Sequence, residues 1–203
     1  VIGREFTLQQ LEKLVEELSE ERLLEVLEEG MAARVIEELP RAMGRYQFTH
    51  GLIQETLAEE LSVTRRVRLH ARIAQALEEL YGAQAEAHAA ELAYHFGEAE
   101  AVLGPQKLVH YSLLAGARAL AAYAPEDALV HFQRGLAAKE GQPTDQETAA
   151  LLHGLGRAEA ARREQIMREC IADVAAALST LGRPSPWSDD IKASDDFLKP
   201  VFE

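Results

Sequence analysis

The chain has 203 residues, 47% of them hydrophobic, and a formal charge of −13 with a pI near 5.0. That length can bury the core of one large or two small domains, and the acidic balance works against nonspecific binding to nucleic acid or to an anionic membrane. The one cysteine, Cys170, excludes an internal disulfide framework and, without nearby thiols, a thiolate zinc site, which suits a reducing compartment. No apolar run approaches the roughly 20 residues needed to cross a bilayer, and the N-terminus lacks the basic stretch and hydrophobic core of a signal peptide. A cytoplasmic location is expected. The chain opens on Val1 and breaks off in "FLKPVFE", so it reads as a piece of something longer.

In "FTLQQLEKLVEELSEE", Leu8, Leu11, Leu14, Val15 and Leu18 recur at three and four, placing them on one helix face. Thr7 followed by Gln10 matches a capping box, so the first helix is expected near Leu8. Ser19 can cap a second helix, striped by Leu23, Leu24, Leu27 and Met31. The period then changes: "VIEEL" and "RYQFTH" are short, rich in branched or aromatic residues, and separated by a turn marked by Pro40 and Gly44. The helical period returns at Gly51 with Leu52, Ile53, Leu57 and Leu61. Two helices, a β-hairpin and a further helix follow the order of a winged-helix module, expected over residues 1–62. His50 sits where strand gives way to helix, a place where backbone N–H groups point outward.

From residue 63 to 182 only helices are expected. Leu69, Ile73, Leu77 and Leu80 stripe one that Gly82 can end, and "AEAHAAELAYHF" forms the next, closed by Gly97. Pro105 and Pro125 open two more. The reading is of antiparallel pairs in which the small residues Ala115, Gly116, Ala119 and Ala122 let neighbours approach. "GARALAAYAPEDALVHFQRGL", with Tyr123, Ala128, Phe132 and Gly135, resembles the second half of a tetratricopeptide repeat; Leu152, Leu155 and Gly156 repeat its Leu-Gly part with a degenerate second helix. The fold class is therefore mainly α: a winged-helix domain followed by a tetratricopeptide-like antiparallel helical superhelix. Residues 183–203 read as a linker or the start of a next domain, with Trp187 docking back on the last repeat.

Other constellations point to structure rather than chemistry. His88, Glu91 and His95 share a helix face, but their order is not H-E-x-x-H, and a buried histidine beside Tyr94 and Phe96 suits helix packing. Cys170, beside Ile171, is expected as a small buried hydrophobe. The basic cluster Arg65, Arg66, Arg68 and Arg72 is expected to pair with neighbouring acids or dock a partner domain. The helix that would enter a major groove carries Glu20, Glu21, Glu25, Glu28 and Glu29, which argues against DNA contact. No nucleophile and base recur at a telling spacing, so an enzyme is not expected.

"VIGREFTLQQLEKL", "RYQFTHGLIQETLAEEL" and "RLHARIAQALEELYG" followed by "HAAELAYHF" resemble the segment just after the nucleotide-binding core of signal-transduction ATPases with numerous domains. These include bacterial maltose-operon-type activators, regulators fused to cyclases or kinases, and more remotely the apoptotic and plant resistance ATPases. The resemblance, over about residues 1–182, implies a non-catalytic regulatory segment: a winged helix contacting an upstream nucleotide-binding domain, and repeats holding a protein or small-molecule inducer. No G-x-x-x-x-G-K-[ST] occurs, so no cofactor is expected in this segment, and ATP or ADP is expected in the full-length protein. The resemblance gives His50 the role of a histidine that reaches the β-phosphate of ADP, although "FTHG" departs from the Met-His-Asp form and Gly51 supplies no acid. Free of its core, such a winged helix is expected to self-associate through its docking face. The alternative is a plain tetratricopeptide scaffold without nucleotide coupling.

Overall fold

A computed structural model describes residues 3–15, 18–40 and 42–180. The expectations for residues 183–203 and Trp187 lie outside them. The fold is mainly helical with one small antiparallel sheet, and it divides into two compact units, Val1–Leu155 and Gly156–Glu203.

The first unit begins with β1 (Glu5–Thr7), α1 (Leu8–Leu14) and α2 (Glu20–Ala32), followed by β2 (Ile36–Glu38), β3 (Arg45–Phe48) and α3 (Gly51–Glu59). The capping box forms as read: the Thr7 N–H donates to Gln10 Oε1 at 2.8 Å and the Gln10 N–H to Thr7 Oγ1 at 3.2 Å. Ser19 Oγ accepts from the Arg22 N–H and starts α2. The hairpin strands fall where the alternation put them, with Ile36 opposite Phe48 and Glu38 opposite Tyr46. A third strand, absent from the sequence reading, lies on the other side of β3, pairing Phe6 with Tyr46 and giving the order β1-β3-β2. Three residues carry too little alternation to announce a strand. What holds it is pairing with β3 and the burial of Phe6, whose ring lies 6.0 Å from Tyr46 and 5.8 Å from Phe48. Phe6, Leu23, Leu27, Ile36 and Tyr46 form this core, with Leu8, Leu11, Val15 and Met31 against it.

The chain continues through α4 (Val63–Tyr81), a 3-10 segment (Gly82–His88), α5 (Ala89–Glu98), α6 (Glu100–Leu103), α7 (Gln106–Ala121), α8 (Pro125–Ala138) and α9 (Gln146–Thr180). Packing runs in order: α1 on α4, α4 on α5, α5 on α7, and α7 on α8. Gly82 ends α4 at φ +47°, a conformation that favours glycine, and Pro125 occupies the first turn of α8. Gly97, however, does not close its helix. It lies within α5, where an added Cβ would sit 3.4 Å from Leu108 Cδ1, so it serves close packing on α7 rather than termination.

The tightest packing is around Phe132 of α8, 3% exposed. A Cβ on Gly116 of α7 would lie 2.6 Å from Phe132 Cε1, and one on Gly154 of α9 would lie 2.5 Å from the same atom. Gly135 leaves room in the same way for Leu151, where a Cβ would sit 2.6 Å from Leu151 Cδ2. The packed face of α9 is therefore Leu151 and Gly154, not the Leu152 and Gly156 of the expected repeat: Leu152 is 53% exposed and nothing lies within 4 Å of a Cβ at Gly156. Both sets recur at helical spacing, and only the position of Phe132 distinguishes them. Cys170 is exposed, the last of a run of exposed residues from 165 to 170, which corrects its expected burial.

Gly154→Ala and Gly116→Ala are expected to destabilise the chain by about 1–3 kcal/mol through overpacking, outweighing the roughly 1 kcal/mol that alanine gains over glycine in a helix. Gly156→Ala meets no such obstacle and is expected to stabilise by up to about 1 kcal/mol. Urea unfolding of the three variants checks the opposite signs.

Candidate functional site

His50 is the N-cap of α3, in extended conformation at φ −138° and ψ 136°, and its side chain makes no capping hydrogen bond. It is exposed. The preceding residue anchors the junction: Thr49 Oγ1 donates to the Arg34 carbonyl at 2.8 Å and the Thr49 N–H to the Val35 carbonyl at 3.1 Å. The imidazole thus stands on a fixed backbone beside the first turn of α3, where unsatisfied N–H groups and the helix dipole favour an anion. The same helix exposes Leu52 (76%) and Leu57 (50%), and Val63 at the start of α4 is also exposed.

The arginine cluster does not act as one group. Arg72 Nη2 donates to the Leu14 carbonyl of α1 at 2.7 Å, tying α4 to the N-terminal elements. Arg65, Arg66 and Arg68 form no ion pair among the described residues, so of the two expected roles the pairing with neighbouring acids is not seen.

The three residues of the His88, Glu91 and His95 stripe have separate roles. The His88 ring stacks on Tyr81 with centroids 3.7 Å apart and 11° between planes. Glu91 Oε2 accepts from the Tyr81 hydroxyl at 2.8 Å, and that hydroxyl accepts from Gln10 Nε2 at 3.4 Å. Burial, then the hydrogen bond and charge of Glu91, push the Tyr81 phenol up to about 12, so it stays a neutral donor. No group of three or more His, Cys, Asp or Glu suited to a metal occurs among the described residues.

His95 instead turns inward, 2% exposed, with its Nδ1 3.0 Å from Nδ1 of His70, itself 2% exposed. One ring must carry its proton on Nδ1 and the other on Nε2. Nothing in the spacing of the sequence brings His70 and His95 together, since they are 25 residues apart on two different helices. Tyr94 closes the site edge-on to His70. Burial, then the facing imidazole of His70, push His95 down to about 4; burial also lowers His70, against the opposing pull of Glu98. On α4, burial raises the Glu78 carboxyl, but hydrogen bonds from Lys107 and Tyr111 of α7, both 2.5 Å, bring it below its ordinary range. The His70–His95 contact links α4 to α5, and the Glu78 bonds link α4 to α7. Among the described residues no helix is long and apolar enough to cross a membrane.

A histidine whose pKa is depressed on folding contributes stability that is present above the unfolded value of 6.5 and is lost as pH falls toward 4. His95 is therefore expected to remove on the order of 3 kcal/mol over that window, and its ring protons, followed by NMR, to titrate near the low end; titration near 6.5 would place the ring in water.

No protein-family model, no curated protein and no solved structure matches this chain.

Proposed function

We propose that the chain is a non-catalytic regulatory and protein-interaction segment of an ATP-dependent signalling or transcription-regulating switch. In this reading residues 1–62 are a winged helix that closes over an upstream nucleotide-binding domain, and the helices from 63 to 182 are tetratricopeptide-like repeats that bind a protein or small-molecule inducer. The observation that carries it is His50: exposed, fixed at the head of α3, and with its side chain uncommitted to the cap. An imidazole there can donate to a phosphate while the α3 N–H groups supply the favourable field.

Further support comes from the surface around it. Leu52 and Leu57 of α3 and Val63 of α4 are exposed apolar side chains close to the histidine in sequence, which suits a domain closing over α3 and, in the free chain, self-association. The β1-β3-β2 sheet with α1 and α2 before the hairpin and α3 after it is the arrangement a winged helix needs. Contacts of α1 with α4 through Lys13 and Glu79 at 2.8 Å, Arg72 and Leu14, and Gln10 and Tyr81 give the winged helix a lever attached to the repeats. A two-state switch works when ADP prefers the closed arrangement through His50 and the repeat-bound partner prefers the open one.

His50→Ala in the full-length protein is expected to speed ADP loss by about tenfold or more, the loss of one hydrogen bond to a charged phosphate oxygen. ADP retention measured by nucleotide dissociation checks this, and unchanged retention removes the sensor role.

A further inference from the structure

The helices carry a second open feature that His50 does not use. A groove of about 540 Å³ lies between α5, α7 and α8. Seven of its ten lining residues are alanines, among them Ala90, Ala119 and Ala122, so nothing longer than a methyl group fills the floor and another backbone can approach closely. The other three are Arg118, Asp127 and His131.

Three observations mark the groove as a contact surface. Arg118 is exposed and forms no ion pair among the described residues, although the chain as a whole carries a charge of −13. His131 of α8 is half-buried on the groove wall, and its Nδ1 has no hydrogen-bond partner. Between Ala122 and Ala124, two of the lining residues, Tyr123 stands 92% exposed at φ +58°. Tyr123 closes α7 in a Schellman turn, with the Ala124 N–H donating to the Ala119 carbonyl at 2.9 Å and its own N–H to Leu120 at 3.1 Å. Glycine is the usual residue at that place because it adopts positive φ without strain. A tyrosine there is strained and contributes no packing in the chain itself.

We propose that this groove seats a segment of a partner protein that is small or apolar along its contact face and presents a carboxylate to Arg118. The inference rests on the reading of the repeats as a partner-binding arm and names the place and the chemistry. Tyrosine and arginine are the side chains that dominate protein–protein contacts, which favours a protein segment over a small molecule. The charge of Arg118 selects an acid, and Asp127 on the first turn of α8 keeps that acid on the α7 side. Burial and the nearby Arg134 hold His131 below its ordinary pKa, against Asp127, so it meets the segment as a neutral ring.

The test titrates the ¹⁵N-labelled chain with a blocked peptide, acetyl-Ala-Leu-Glu-Ala-Leu-Glu-Ala-amide, and with its Gln-for-Glu counterpart. Saturable shifts are expected at Ala90, Ala119, Ala122 and Tyr123, with affinity reduced about tenfold or more by Arg118→Ala or by the Gln peptide. Arg118→Glu is expected to reverse the preference toward a Lys-for-Glu peptide. Tyr123→Gly is expected to raise the unfolding midpoint yet weaken binding, an opposition that a purely structural role would not produce. Absence of saturable groove shifts at about 1 mM peptide, equal binding of the Glu and Gln peptides, the same shifts and affinity with acetate alone, or concentration-dependent groove shifts without peptide would each overturn the proposal. Shifts confined to other helices would overturn this site while leaving the partner-binding reading intact, and neither outcome touches ADP retention through His50.

Discussion

The ring of Phe132 is the fixed point of the helical part of this chain. It is buried between α7 and α9, and it can be there only because Gly116 and Gly154 have no side chains. Dispersion and area burial favour such a contact, but they do so only at close approach, and a single methyl group on either glycine would occupy space the ring already fills. The Gly135 and Leu151 pair repeats the arrangement on the same helices. Together they set the separation of α7, α8 and α9, and α7 and α8 form two of the three walls of the alanine groove. A change in that separation would alter the groove along with the core.

The N-terminal elements are attached by a different chemistry. Their own core is a compact apolar cluster around Phe6, Tyr46 and Leu27. Where α1 meets α4, the named contacts are polar: Lys13 with Glu79, Arg72 with the Leu14 carbonyl, and Gln10 with Tyr81. Each has a modest net value because water competes for the same groups. An attachment of this kind fits a part that changes position, and it contrasts with the steric fit around Phe132. The proposed switch uses both properties, a rigid arm and a lever joined to it through replaceable bonds.

Much of the local structure was legible. The capping box at Thr7 and Gln10, the hairpin on either side of Pro40 and Gly44, the junction at His50 and the proline at the start of α8 all follow from residue types with strong local preferences. Features that depend on distant partners were not legible. β1 exists because β3 offers it an edge, Gly97 packs against α7 instead of ending α5, and the face of α9 shifted to Leu151 and Gly154 because Phe132 lies there. The His70 and His95 pair belongs to the same class: each histidine reads as a single buried residue until two helices bring the rings to 3.0 Å. Candidate site residues divide similarly. His50 was found from its place between strand and helix, whereas Arg118 and His131 gave no sign in the sequence; a tyrosine following a run of alanines at a helix end was the one available hint.

The central claim is that the helix spacing is set by the exclusion of any side chain from the two positions facing Phe132. A double-mutant cycle in urea between Phe132→Leu and Gly154→Ala measures it directly. The smaller side chain is expected to relieve the clash, leaving the double variant more stable than the sum of the single effects by about 1 kcal/mol or more. Additive effects would show that Gly154 and Phe132 do not constrain each other and that the helix spacing is set elsewhere.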